Sequence, residues 1–169
     1  MNPPIVSIVG RSGSGKTTLI ERLIPVLAGR GLRVATVKHH RHSTPVDVPG
    51  KDSWRHARAG ASAVVVAGAA EIAFFRPAGR PQGLEEIVRE FVSDADLVLT
   101  EGFKQGAAPK IEVARAAQGL DLLCGPADNL IAVVTDRALA MEVPRFGLDA
   151  INPLADFIAA RFLPARARA

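Results

Sequence analysis

Apolar positions along this chain fall into short unbroken blocks and into longer stretches that recur every three to four residues. Unbroken blocks of four to six residues mark strands covered on both faces, whereas the three-to-four spacing marks one buried stripe of a helix. Ile5 to Val9, Arg33 to Val37, Leu97 to Thr100, Lys110 to Val113 and Leu130 to Thr135 read as strands of one sheet. Ala63 to Ala67 has the same small and β-branched character and is expected to be buried on both faces, with Glu71 to Phe75 as its hairpin partner. Helical spacing appears in Leu19, Ile20, Leu23, Ile24 and Leu27, with Gly29 or Gly31 as the stop. Pro25 inside that stretch removes a backbone donor and is expected to bend the helix or end it early. A short helix is predicted from Asp52-Ser53 to Gly60. A second carries Leu84, Ile87, Val88, Phe91 and Val92 on one face, and a closing helix spans Leu154 to Phe162. Strands alternating with helices predict an α/β protein of three layers, with a mostly parallel central sheet, helices on both faces and right-handed crossovers.

Composition narrows this picture only modestly. The 169 residues, 48% of them hydrophobic, suit one domain over 1–169, with residues 161–169, which hold Arg161, Arg166 and Arg168 among alanine and proline, as a frayed tail. A net charge of +4 permits nucleic-acid binding, but the basic residues are spread rather than gathered into a stripe, so small anionic ligands account for them and no nucleic acid is expected. The first apolar block is too short to span a membrane and runs into a glycine-rich loop, which makes it a strand rather than a signal peptide. A cytoplasmic protein without a membrane partner is therefore expected. Cys124 is the only cysteine, which rules out an internal disulfide and a C-x-x-C metal or redox pair.

The chemistry begins at Gly10-Arg11-Ser12-Gly13-Ser14-Gly15-Lys16-Thr17, a full match to G-x-x-x-x-G-K-[ST] between a strand and a helix. Such a loop wraps phosphates with backbone N–H groups at the positive end of a helix, so these residues and Thr18 are candidate nucleotide contacts. Lys16 would reach the β- and γ-phosphates and Thr17 would place its hydroxyl on Mg²⁺. The motif identifies a phosphate grip, which is the P-loop nucleotide-binding architecture, and leaves the reaction open.

In open parallel sheets the ligand lies beyond the carboxyl ends of the strands, so polar residues just after each strand are the next candidates. Glu101 follows the Leu97 to Thr100 strand and is the candidate for the second Mg²⁺ acid; its plainer reading is a solvated carboxylate. Asp96 precedes that strand and would lie on the order of 15 Å away, at the other sheet edge. Asp52 is a further metal candidate, and a helix N-cap explains it equally well. His39, His40, His42 and His56 lie between Lys38 and Arg58, interleaved with Arg41, Lys51 and Arg55. That cationic mixture suits an anion better than a transition metal, with a solvated loop as the remaining reading, and Lys38, His39 and Lys51 are its candidate ligand contacts. Asp136, after the last strand, could accept both the N1–H and the N2 amino hydrogens of guanine, or could form an Asx turn.

These residues together resemble the molybdopterin-guanine dinucleotide biosynthesis adapter family, MobB. The resemblance runs from the first strand through Asp136 and is carried by Gly10 to Thr18, Val37-Lys38-His39, Pro49-Gly50-Lys51-Asp52-Ser53, Ala59-Gly60-Ala61, Thr100-Glu101-Gly102-Phe103-Lys104 and Lys110-Ile111-Glu112-Val113. It implies a GTP-binding P-loop protein that uses Mg²⁺, hydrolyses GTP slowly if at all, forms a homodimer and assists a separate molybdenum cofactor guanylyltransferase. On that resemblance Lys16 and Glu101 act on the nucleotide, Thr17 and Glu101 hold Mg²⁺, and the basic loop with Lys104 faces molybdopterin phosphate or the partner enzyme. One departure is Arg41, Ser43 and Pro45, where the family tends to carry further His or Asp. The Thr17, Asp52, Glu101 layout is also similar to that of dethiobiotin synthetase-like ATP-dependent ligases. A small-molecule P-loop kinase is the other rival; it would need an arginine-bearing lid, for which Arg76 and Arg80 lie on a Pro/Gly-rich loop, and a base near the acceptor hydroxyl, for which the sequence shows no H-R-D-like motif.

Overall fold

Five of the apolar blocks line up as parallel strands of a six-stranded sheet in the computed structural model, which describes residues 2–39, 46–119, 121–138 and 142–163. In chain order the elements are β1 (Ile5–Val9), α1 (Lys16–Gly29), β2 (Val34–Lys38), α2 (Asp52–Arg58), β3 (Val64–Ala67), β4 (Ile72–Phe75), α3 (Leu84–Phe91), β5 (Leu97–Glu101), β6 (Lys110–Ala114), β7 (Leu130–Thr135), β8 (Arg145–Phe146) and α4 (Ile151–Phe162). The sheet order is β2-β5-β1-β6-β7-β8, every pair parallel. The consecutive strands β5 and β6 therefore lie on either side of β1, and the glycine-rich loop leaves the sheet between them.

Contacts divide the chain into two compact units, one of residues 1–39 with 84–169 and one of residues 40–83. In the larger unit Leu19, Ile20, Leu23 and Leu27 form the buried stripe of α1, and Leu154, Ala155 and Ile158 that of α4. Both stripes belong to one core with Val6, Ile8, Leu97 and Leu99 of the sheet. Val98 faces the other way, onto Leu84 and Val88 of α3, so helices cover both faces and the three-layer expectation holds. Burying each such aliphatic side chain stabilises by about 1.5–3 kcal/mol, which is what holds helices this short.

Pro25 neither ends nor interrupts α1, which continues to Gly29. The residue is exposed, so the carbonyl it leaves without an amide partner faces solvent. The helix stops at Gly31, whose φ of 80° is left-handed. Gly31 N–H donates to Ala28 and Leu32 N–H to Leu27, the two bonds of a Schellman cap. The closing helix begins at Ile151, three residues earlier than expected, because Pro153 falls in its first turn, where its missing N–H costs nothing.

In the smaller unit β3 and β4 form the expected antiparallel hairpin, a separate two-stranded sheet. Its expected burial on both faces is not found: Val65, Val66, Ile72 and Phe74 are exposed and only Val64 of β3 is buried. A run of β-branched residues satisfies the pleat without any covering layer, so the pattern recorded strand propensity and not burial. Lys51 occupies the cap position of α2, with Asp52 the first helical residue, and Gly60 terminates the turn with a φ of 106°.

Candidate functional site

Gly10 leaves β1 with a φ of 146°, and a Cβ there would stand 2.4 Å from the Val113 carbonyl oxygen of β6. Only glycine lets the chain turn this tightly against its neighbouring strand. Gly13 and Gly15 also have left-handed φ values, 73° and 97°, and Gly15 is the residue before the first turn of α1. That turn, Lys16-Thr17-Thr18, carries no acidic side chain, so its N–H groups and helix dipole remain available for an anion. Lys16 Nζ folds back over the loop and donates to the Arg11 carbonyl at 2.7 Å.

Thr17 Oγ1 donates to Glu101 Oε2 at 3.0 Å, across 84 residues of sequence. The same carboxylate oxygen lies 3.4 Å from Lys38 Nζ. The strand-end rule thus brings Thr17, Lys38 and Glu101 together, because β2 and β5 pair Lys38 with Glu101 in register. His39 follows: its N–H donates to the Glu101 carbonyl at 3.0 Å, and its ring lies 4.9 Å from that of Phe103. A hydroxyl and a carboxylate side by side are the hard oxygen donors that Mg²⁺ takes, and Thr17 with Glu101 would hold it. Among the described residues no cluster of three or more His, Cys, Asp or Glu side chains is arranged to hold a metal.

Asp96 sits at the opposite end of β5 and is committed to Arg33. Its carboxylate accepts from Arg33 N–H at 2.8 Å and from the guanidinium at 3.1 and 3.2 Å. The side-chain hydrogen bond from Arg33 holds the Asp96 carboxyl below its ordinary range. It closes the entry of the strand, as its position predicted.

Asp136 Oδ1 accepts from Ala116 N–H at 2.8 Å, and so caps a short turn of helix over Ala116–Gln118. From the same turn Arg115 Nε donates to the Ser14 carbonyl at 3.0 Å and Gln118 Nε2 to the Ser12 carbonyl at 2.9 Å. Asp136, Arg115 and Gln118 therefore brace the phosphate loop from the β6 side. The sequence reading missed Arg115 and Gln118, although Arg115 directly follows β6 and the strand-end rule would have found it. Lys104 lies after β5 beside a shallow cavity of about 380 Å³ that it shares with Gln105, Lys110 and Asn129. Lys51 and Asp52 belong to the smaller unit, where Asp52 lies 3.7 Å from Arg55. Segment 40–45, with His40, Arg41, His42, Ser43 and Pro45, lies outside the described residues, and so does 164–169 of the tail; Arg161 is in the last turn of α4.

The K-I-E of Lys110 to Glu112 proves to be internal. Lys110 is 2% exposed and its Nζ donates to the Gly106, Ala108 and Asp128 carbonyls at 2.6, 3.2 and 2.7 Å. Glu112, equally buried, accepts from Leu123 N–H at 2.7 Å and Cys124 N–H at 2.9 Å. Burial pushes the Glu112 carboxyl up despite those two donors, and pushes the Cys124 thiol up as well.

A family model described as molybdopterin guanine dinucleotide synthesis protein B matches residues 5–136. A molybdopterin-guanine dinucleotide biosynthesis adapter protein of Haemophilus influenzae is 38% identical over 161 residues, covering 92% of this chain and 87% of that protein. The protein of the same name from Escherichia coli is 35% identical over 164 residues, covering 92% and 91%. A crystal structure of molybdopterin-guanine biosynthesis protein B superposes with a TM-score of 0.74 at 36% identity, covering 92% of this chain and 98% of the other.

Proposed function

The chain belongs to the molybdopterin guanine dinucleotide synthesis protein B family and is an adapter of molybdopterin guanine dinucleotide biosynthesis, and from that premise we propose that it acts as a holder of Mg²⁺ and GTP. The observation that carries the reading is the Thr17 hydroxyl against the Glu101 carboxylate, at the head of a helix that opens from a complete phosphate loop. Loop N–H groups and Lys16 bind and orient the phosphate chain, while Thr17 and Glu101 hold the cation that neutralises it. Lys38, on the same carboxylate, holds the charge balance until the cation takes its place. Mg²⁺, when bound, supplies charge neutralisation between phosphate oxygens. Hydrolysis is slow on this reading, and the protein serves as a handle that presents GTP to a guanylyltransferase.

The family adds to this reading a molybdenum cofactor guanylyltransferase as partner, molybdopterin near the basic residues Lys38, His39 and Lys104, a homodimer, and a cytoplasmic setting. Among the described residues no helix is long and apolar enough to cross a membrane.

Calorimetric titration of the full chain with GTP and with ATP, with and without Mg²⁺, tests the proposal. GTP should bind more tightly than ATP and more tightly with Mg²⁺. Lys16→Ala should weaken GTP on the order of 100-fold, the scale of a lost charged hydrogen bond to phosphate, while the circular dichroism stays native. Unchanged GTP affinity in Lys16→Ala, or ATP binding without any response to GTP, would overturn it, the latter in favour of a ligase or kinase.

A further inference from the structure

Beside the phosphate loop, on the flank away from Glu101, a cavity of about 240 Å³ opens between α1, β6, β7 and the turn that leads into α4. Its walls are Thr18 and Arg22 of α1, Val113 of β6, Val134 of β7, and Leu148 with Asp149. The volume lies below the roughly 300 Å³ at which pockets for whole drug-sized ligands begin, and is on the scale of one heterocyclic base. Val113, Val134 and Leu148 supply apolar faces, while Arg22 and Asp149 supply one donor and one acceptor group. Ser14, which also lines the cavity, is fully buried, and its hydroxyl has no hydrogen-bond partner among the described residues.

We propose that this cavity takes the base of the bound nucleotide and that the Asp149 carboxylate and the Arg22 guanidinium read it as guanine. The proposal rests on the loop being a nucleotide site. Ser14 and Gly15 of the loop and Thr18 of the first turn of α1 all line the cavity, so a nucleotide with its phosphates over the loop has the cavity within reach of its base. A carboxylate accepts the paired N1–H and N2 amino hydrogens of guanine, and a guanidinium donates to its O6 and N7 atoms. Adenine presents no such paired donors on one edge. In this structure Arg22 Nη1 donates to Asp149 Oδ1 at 2.8 Å and to the Leu148 carbonyl at 3.2 Å. The Asp149 side chain is 92% exposed, and an ion pair in that setting is worth little, so both groups can turn to a ligand at small cost.

The assignment moves base reading from Asp136 to Asp149. Asp136 keeps one carboxylate oxygen on Ala116 N–H and acts through Arg115 and Gln118 on the loop.

Titration of the full chain with GTP, ATP and inorganic tripolyphosphate, each with Mg²⁺, separates the base site from the phosphate site. Asp149→Asn should reduce the preference for GTP over ATP by roughly tenfold, one hydrogen-bonded pairing, and leave tripolyphosphate affinity unchanged. Leu148→Trp, which fills the cavity, should weaken GTP and ATP alike while tripolyphosphate binds as before; retained tripolyphosphate binding also shows that the variant is folded. Wild-type GTP affinity and wild-type selectivity in both variants would overturn the proposal. Failure of tripolyphosphate to bind the unmodified protein would remove the phosphate-loop premise itself, and the base site with it.

Discussion

Glu101 and Glu112 stand on the two strands that flank β1, opposite Ile8 and Val9 respectively, and so on opposite faces of the sheet. Both are strand carboxylates within segments that carry the family resemblance, yet they are built for different work. Glu101 ends its strand beside a hydroxyl that would share a cation with it and an exposed ammonium that a cation can displace. Glu112 lies inside its strand with two backbone N–H groups on it, which fasten the 121–125 loop over Cys124. The same contrast separates Lys16, folded onto one loop carbonyl, from Lys110, saturated by three. A charged group left with exchangeable partners at the carboxyl end of a sheet is available to a ligand. One whose partners are all backbone, and buried, is committed to the fold.

The largest expected effect on stability falls on the committed side. Glu112→Ala should cost about 2–4 kcal/mol, because it strands the buried Cys124 N–H and the half-buried Leu123 N–H and leaves a void, and chemical denaturation measures it. A cost under about 1 kcal/mol would show that the loop is held by something else. The pH dependence has a definite sign: a carboxyl raised in the folded state binds protons more tightly there, so this group's contribution to stability falls as pH rises from its ordinary value near 4.5 through the raised one.

Glu101→Gln comes next. It should weaken Mg²⁺-dependent GTP binding roughly tenfold and change stability by no more than about 0.5 kcal/mol, since the partners it loses are exposed or exchangeable. Asp96→Asn should have the smallest effect: no change in nucleotide binding, and a stability loss that is a fraction of that for Glu112→Ala because the pair with Arg33 is solvent-exposed. The Asp96 carboxyl is lowered from 3.8, so its contribution is present above that value and fades as pH falls through the lowered one. Equal effects of Asp96→Asn and Glu101→Gln on Mg²⁺-dependent binding would erase the distinction between the two ends of β5.

What could be read from the chain follows the range over which each feature is encoded. The strand-loop-helix placement of Gly10 to Thr18 is local in sequence and legible there, and so is the position of Glu101 at a strand end, because a strand and its carboxyl end are set within five residues. Arg115, directly after β6, falls under the same rule. The two-residue β8 carries no periodicity, so neither it nor the cavity that Leu148 and Asp149 complete could be seen beforehand. Exposure of the β3–β4 hairpin escaped for a different reason: whether a valine run is covered depends on what packs against it, and only tertiary contacts supply that. The commitment of Glu112 was equally hidden, since its partners are backbone N–H groups eleven and twelve residues away.

The most direct measurement is a thermal-shift titration of Glu101→Gln beside the unmodified protein, each with GTP in the presence and absence of Mg²⁺. Without ligand the two proteins should melt within about 2 °C of each other, and GTP should give a Mg²⁺-dependent stabilisation that the variant loses. A variant that melts lower on its own yet keeps the full Mg²⁺-dependent shift would place Glu101 with Glu112, as part of the fold and not of the site.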